Sequence, residues 1–176
     1  MSVPPIVRVT WQALRDSSDE AFVERLASVF EHAPWVAVAV LNERPFASLE
    51  AVHAAMMARL RALPAAQLLA LLQGHPELAG DQARTGAMTA DSVAEQGSLA
   101  LQALPAAEAA RWDAMNAVYR ERFGFPFILC IREHTRDSAL QAFETRLQRT
   151  RAQELQQALD EIRRISWRRL QARIAY

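Results

Sequence analysis

The sequence predicts an all-α fold: a single-domain helical bundle of about eight helices with a short buried connector. Three observations carry that prediction. Apolar residues recur at three- and four-residue spacing over most of the chain. Ser or Thr stands just before several of those runs, where a helix needs a cap. Gly or Pro falls between them. The 176 residues are 51% hydrophobic and 23% charged, a globular balance with enough chain for one packed domain over residues 1–176.

Ser17 and Ser18 can cap a first segment with Phe22, Leu26, Val29 and Phe30 on one face. Pro34 closes it and opens residues 35–41, where the alternation within 36–40 fits a strand or a short helix equally. Residues 42–46 read as a loop. Ser48 then caps a helix with Leu49, Val52, Met56, Leu60 and Leu63 in register. Pro64 suits the first turn of a helix over residues 65–73, stopped by Gly74. Residues 81–88, with Gly80 and Gly86 as breakers, read as a loop. Thr89 caps a helix over about 90–104. Pro105 starts another, with Trp112, Met115, Val118 and Tyr119 on one side, ended by Gly124. Residues 125–131 form a buried connector, and 136–149 and 152–173 form two final helices. No repeat or linker divides the chain.

Composition excludes several classes of function. Lys+Arg and Asp+Glu stand at 20 each, so no global charge points to nucleic acid or to an acidic membrane surface. No apolar run reaches the length of a membrane span. Cys130 is the one cysteine, which excludes an internal disulfide and fits a reducing compartment. Residues 1–10 lack a basic segment followed by an apolar one, and Ile174-Ala175-Tyr176 is not a peroxisomal tripeptide, so the expected location is cytoplasmic.

Three groups of residues stand out from this frame. The last helix carries the stripe Leu155, Leu159, Ile162 and Ile165, and Arg169 follows in the same register. A guanidinium on a core-facing stripe needs a partner. The plainer reading is an Arg reaching the surface near the helix end, with Arg173 one turn further on. Ser92, Glu95 and Gln96 share one helix side and offer a hydroxyl, a carboxylate and an amide to a small polar ligand; the plainer reading is a solvated face. His75, followed by Pro76 in a tight loop, is the best general acid or base candidate, since proline stiffens it and imidazole titrates near neutrality; the plainer reading is a loop histidine without a role. His32, His53 and His134 read as structural. Glu50 and His53 have the spacing of half a di-iron site, but a second such pair is missing and no metal is expected.

Taken in order, these pieces resemble the 2-oxo-4-hydroxy-4-carboxy-5-ureidoimidazoline (OHCU) decarboxylases of uric acid breakdown. The matching blocks are Phe30-Glu31-His32-Ala33-Pro34-Trp35, Arg44-Pro45-Phe46, His75-Pro76-Glu77-Leu78-Ala79-Gly80 and Met88-Thr89-Ala90-Asp91-Ser92-Val93-Ala94-Glu95-Gln96. They continue with residues 116–119, Phe123-Gly124-Phe125-Pro126-Phe127, Arg146-Leu147 and Arg169-Leu170, so that the resemblance runs from about Trp11 to Leu170.

The resemblance implies an all-helical, cofactor-free homodimer that turns OHCU into (S)-allantoin. It assigns His75, Glu95 and Arg169 as catalytic, with His75 the proton donor and Arg169 a ligand-binding cation. Pro76, Ser92, Gln96, Phe127, Ile128, Leu129, Cys130 and Ile131 become substrate-binding residues, the last five as a wall. Two departures stand against it: Leu99-Ala100-Leu101-Gln102 replaces an Ala-Gly-Leu-Asp step, and an Asn expected shortly after Arg146-Leu147 is replaced within Gln148-Arg149-Thr150. The first admits a related decarboxylase or hydrolase acting on another ureido compound. A non-enzymatic helical interaction module, using the arginine-rich last helix with Trp112 and Trp167, is the remaining alternative.

Overall fold

The computed structural model describes residues 8–176; residues 1–7, part of the stretch read above for a targeting signal, lie outside it. The chain divides into two compact units. One holds the described residues up to Leu71 together with Arg163–Tyr176, and the other holds Leu72–Ile162. No single helix among the described residues is long and apolar enough to cross a membrane.

In the first unit, β1 (Val9–Thr10) pairs in parallel with β2 (Ile174–Ala175), a two-residue contact too short for periodicity to reveal. Thr10 caps α1 (Trp11–Arg15), and Ser18 caps α2 (Asp19–Leu26) by accepting from Ala21 N at 3.3 Å. The ambiguous segment is helical: α3 (Trp35–Val38), followed by a 3-10 turn over Leu41–Glu43. Arg44 closes the loop beyond it, donating to Asp19 Oδ1, Arg15 O and Ser17 O and lying 4.7 Å from the Phe22 ring centre. Ser48 caps α4 (Leu49–Arg61), whose Leu49, Val52, Met56, Met57 and Leu60 are buried with Leu14, Phe22, Leu26 and Val36. Each such side chain contributes about 2 kcal/mol on leaving water. Helix α5 (Ala65–Gln73) leads out of this unit.

The second unit corrects three expectations. Residues 81–88 contain a short helix, α6 (Asp81–Thr85); Gly80 is its N-cap and Gly86, at φ +71°, its left-handed C-cap, so the two breakers bracket a turn of helix. The helix capped by Thr89, α7 (Ala90–Gly97), ends seven residues earlier than expected, and a 3-10 turn over Leu101–Ala103 follows. Helix α8 (Ala106–Phe123) buries Trp112, Asn116, Tyr119 and Phe123, while Val118 is 52% exposed. The buried offsets are four, three and four, which track the helix repeat better than the face read from sequence.

Gly124 at φ +83° stops α8 as expected. The connector then runs through buried residues 125–130 without regular structure into a 3-10 turn over Ile131–Glu133. Phe127 stacks on Phe143 of α9 (Arg136–Arg146) at 3.9 Å, and Tyr119 meets Phe123, Phe125 and Phe127 within 6 Å. Helix α10 (Arg151–Arg173) begins in this unit and ends in the first.

Candidate active site

His75 follows α5 directly, its backbone N–H donating to Leu72 O at 3.2 Å, and its side chain is half-buried. It borders a cleft of about 570 Å³ with Gln73, Gln82, Arg120, Phe125 and Pro126. The turn after it is tied down from several sides. The Gln96 amide accepts from Ala79 N at 2.9 Å and donates to Glu77 O at 3.1 Å and to Met88 Sδ at 3.2 Å. Arg84 Nη1 donates to Ala79 O at 2.6 Å, and Asn116 Nδ2 to Leu78 O at 2.9 Å. Ala79 holds φ +55°, a left-handed setting that costs a residue with a Cβ about 1–2 kcal/mol. At Gly80 an added Cβ would lie 2.8 Å from Glu77 Cβ, so only glycine fits there.

Helix α7 presents Ser92, Glu95 and Gln96 from one side, as the spacing predicts, but that side is not a solvated face. Ser92 and Gln96 are buried, and Glu95 is half-buried. The Gln96 carbonyl and N–H groups bond Ala79, Glu77 and Met88, so Gln96 also holds the turn that follows His75.

The connector is braced by charges the sequence reading missed. Glu161 Oε2 accepts from Cys130 N at 2.8 Å, and Arg146 Nη1 donates to Ile128 O at 2.8 Å. Arg146 also bonds Glu154 Oε2 through Nε at 2.9 Å and lies 4.4 Å over the Phe127 ring. Tyr119 OH donates to the same Glu154 oxygen at 2.5 Å. Burial and the neighbouring carboxylate push the Tyr119 phenol well above its ordinary range, so it remains a donor. A signal existed: Glu154 and Glu161 lie seven apart, with Ala158 between them on one helix face. The Phe127, Ile128, Leu129, Cys130 and Ile131 side chains are all buried.

Arg169 lies in the first unit. Its guanidinium is 6% exposed and Nη1 donates to Glu31 Oε2 at 2.7 Å, so it does not reach for the surface. Arg173 is also buried, bonding Arg169 O and Ser28 Oγ. In the same unit His53 bonds Ser166 Oγ at 2.8 Å, beside the Phe30 and Trp167 rings. Burial, then the Arg163 and Arg61 charges, lower its pKa to about 4, so it is neutral and structural. Among the described residues no group of three or more His, Cys, Asp or Glu side chains is arranged to hold a metal ion. Trp112, a candidate for a partner surface, is fully buried against Phe143.

Residues 15–171 match the family profile described as OHCU decarboxylase. The chain belongs to the OHCU decarboxylase family. Relatives carrying the name 2-oxo-4-hydroxy-4-carboxy-5-ureidoimidazoline decarboxylase include that of Amia calva, 41% identical over 154 residues, covering 88% of each chain. That of Bos taurus is 40% identical over 149 residues, 85% of this chain and 88% of its own. Among solved structures, an (S)-allantoin synthase superposes with a TM-score of 0.76 at 30% identity. The match covers 94% of this chain and 54% of that one, so this chain spans about half the length of the synthase. Against this family the Ala-Gly-Leu-Asp departure has a local cost. Ala100, which the resemblance sets against a glycine, holds φ +52°, a setting that glycine adopts freely.

Proposed function

We propose that this OHCU decarboxylase family member removes CO2 from OHCU to give (S)-allantoin in uric acid breakdown, with residues 1–176 acting as one catalytic domain. The carrying observation is the Gln96 clamp: one amide joins the turn bearing the imidazole to the helix bearing Ser92 and Glu95, in a chain that matches the family along nearly its whole length.

The substrate supplies its own electron sink. When the C–COO⁻ bond breaks, its electron pair passes into the ring toward the neighbouring C=N, and the ring nitrogen takes a proton. The resulting enol is then protonated on one face of the carbon that bears the ureido group while the hydroxyl proton leaves. One proton is consumed and one CO2 released. The protein's tasks are to align the carboxylate with the C=N, to keep it poorly hydrated and to manage the protons.

His75 manages the proton at the hydroxyl and carboxylate. Ser92 and Glu95 hold the ring and ureido N–H groups by directed hydrogen bonds. Arg169 serves as the anion-binding group, on the strength of the family resemblance. Pro76 and the apolar residues 127–131 limit water near the carboxylate, which favours loss of its charge. The reading includes a cytoplasmic homodimer, which sedimentation and cell fractionation test. The decisive assay mixes freshly generated OHCU with the protein and follows optically active allantoin by circular dichroism. Rapid formation of one enantiomer is expected; decay at the spontaneous rate to a racemate refutes the proposal.

A further inference from the structure

We propose that Asn116 is a positioning residue for His75, acting through Leu78. The inference rests on the reading of His75 as the proton-managing group. The turn from His75 to Gly80 has little internal support. Its backbone closes on itself through Gly80 N to Glu77 O at 3.4 Å, a long bond, and Ala79 holds an unfavourable φ of +55°. The turn is therefore held by side chains from outside it. Gln96 takes Ala79 N and Glu77 O, Arg84 takes Ala79 O, and Asn116 takes Leu78 O.

Of these clamps Asn116 is mounted more firmly than Arg84. Arg84 is exposed and shared between Asp81 and Asp113. Asn116 is 3% exposed, midway along the 18-residue α8, between the fully buried Trp112 and Tyr119 on the same face. A leucine would complete that face. An amide placed there instead carries a desolvation cost that its hydrogen bond to Leu78 O must offset. Leu78 is three residues from His75, and Pro76 stiffens the stretch between them. A shift at the Leu78 carbonyl therefore carries to the imidazole instead of being absorbed by the loop.

The test uses the full chain with Asn116→Leu, and with Ala79→Gly as a variant that keeps the fold because glycine accepts the left-handed setting. Two readouts are taken: kcat and KM with OHCU, and the imidazole resonances of 13C,15N-histidine-labelled protein without substrate. For Asn116→Leu the expectation is a kcat lower by about tenfold or more, KM changed by less than about threefold, and shifted or broadened His75 resonances with His53 unmoved. Ala79→Gly moves both readouts in the same direction by less, with no fall in Tm. Wild-type kcat and unmoved His75 resonances in folded Asn116→Leu overturn the proposal, as does a loss of Tm in that variant that leaves the His75 resonances in place. If Asn116→Leu does not fold, Asn116→Ala, which removes the same donor, decides by the same two readouts. If wild type fails to turn over OHCU, the functional reading fails, and the resonances still decide whether Asn116 sets the imidazole.

Discussion

Arg169 and Glu31 form a buried ion pair in the first unit, Nη1 to Oε2 at 2.7 Å, with side chains 6% and 1% exposed. They stand 138 residues apart in sequence. The pair joins two of the family blocks, since Glu31 lies in the block 30–35 and Arg169 near the C-terminal end of α10. Removing the carboxylate from a buried guanidinium costs about 3–5 kcal/mol, because the charge stays behind without its compensation. Glu31→Ala is therefore expected to lose about that much in urea unfolding. A loss below about 1 kcal/mol contradicts a dry, compensated pair.

His53 sets an acid limit on the same unit. Its folded pKa of about 4 lies below the ordinary 6.5, because burial and the Arg163 and Arg61 charges disfavour the imidazolium. The unfolded chain binds the proton more readily, so the stability it contributes is complete above about pH 6.5 and is lost progressively as pH falls toward 4. Unfolding measured from pH 7.5 to 4 is expected to show a steeper loss in wild type than in His53→Gln, which keeps a polar partner for Ser166 but cannot titrate. Equal slopes in the two proteins rule His53 out as the source.

Ala100 offers a gain. At φ +52° its Cβ is strained, and a glycine relieves it. Ala100→Gly is expected to stabilise by about 0.5–1 kcal/mol, read as a rise of a few degrees in Tm. A fall in Tm contradicts the left-handed setting.

Much of the fold was legible because caps and breakers act locally. Ser18, Ser48 and Thr89 cap the helices that the sequence assigns to them, accepting from Ala21, Ala51 and Ser92 backbone N–H groups. The α6 turn was missed because Gly80 and Gly86 carry the same signal whether they flank a loop or cap a short helix. Among candidate site residues, Ser92, Glu95 and Gln96 do share one helix side. What spacing could not say is that Gln96 is engaged by a turn 17 residues earlier in the chain. Arg169 looked like a surface arginine because its partner lies far away in sequence. Glu154 and Glu161 were passed over for the reason that acids are rarely buried; their partners Tyr119, Arg146 and Cys130 come from other elements.

The Glu154 network supports the connector. Tyr119→Phe removes the phenol donor from a buried carboxylate and is expected to cost about 1–3 kcal/mol, read in urea unfolding. A neutral effect would mean that Arg146 and Arg149 satisfy Glu154 without the phenol.

The central claim is that His75 handles the proton in OHCU decarboxylation, and His75→Asn tests it most directly. Circular dichroism would follow formation of optically active allantoin from fresh OHCU by wild type and by this variant, with Tm as the check on folding. The account predicts a folded variant whose kcat/KM falls by about 10²–10⁴. A folded His75→Asn protein that keeps wild-type turnover would contradict it.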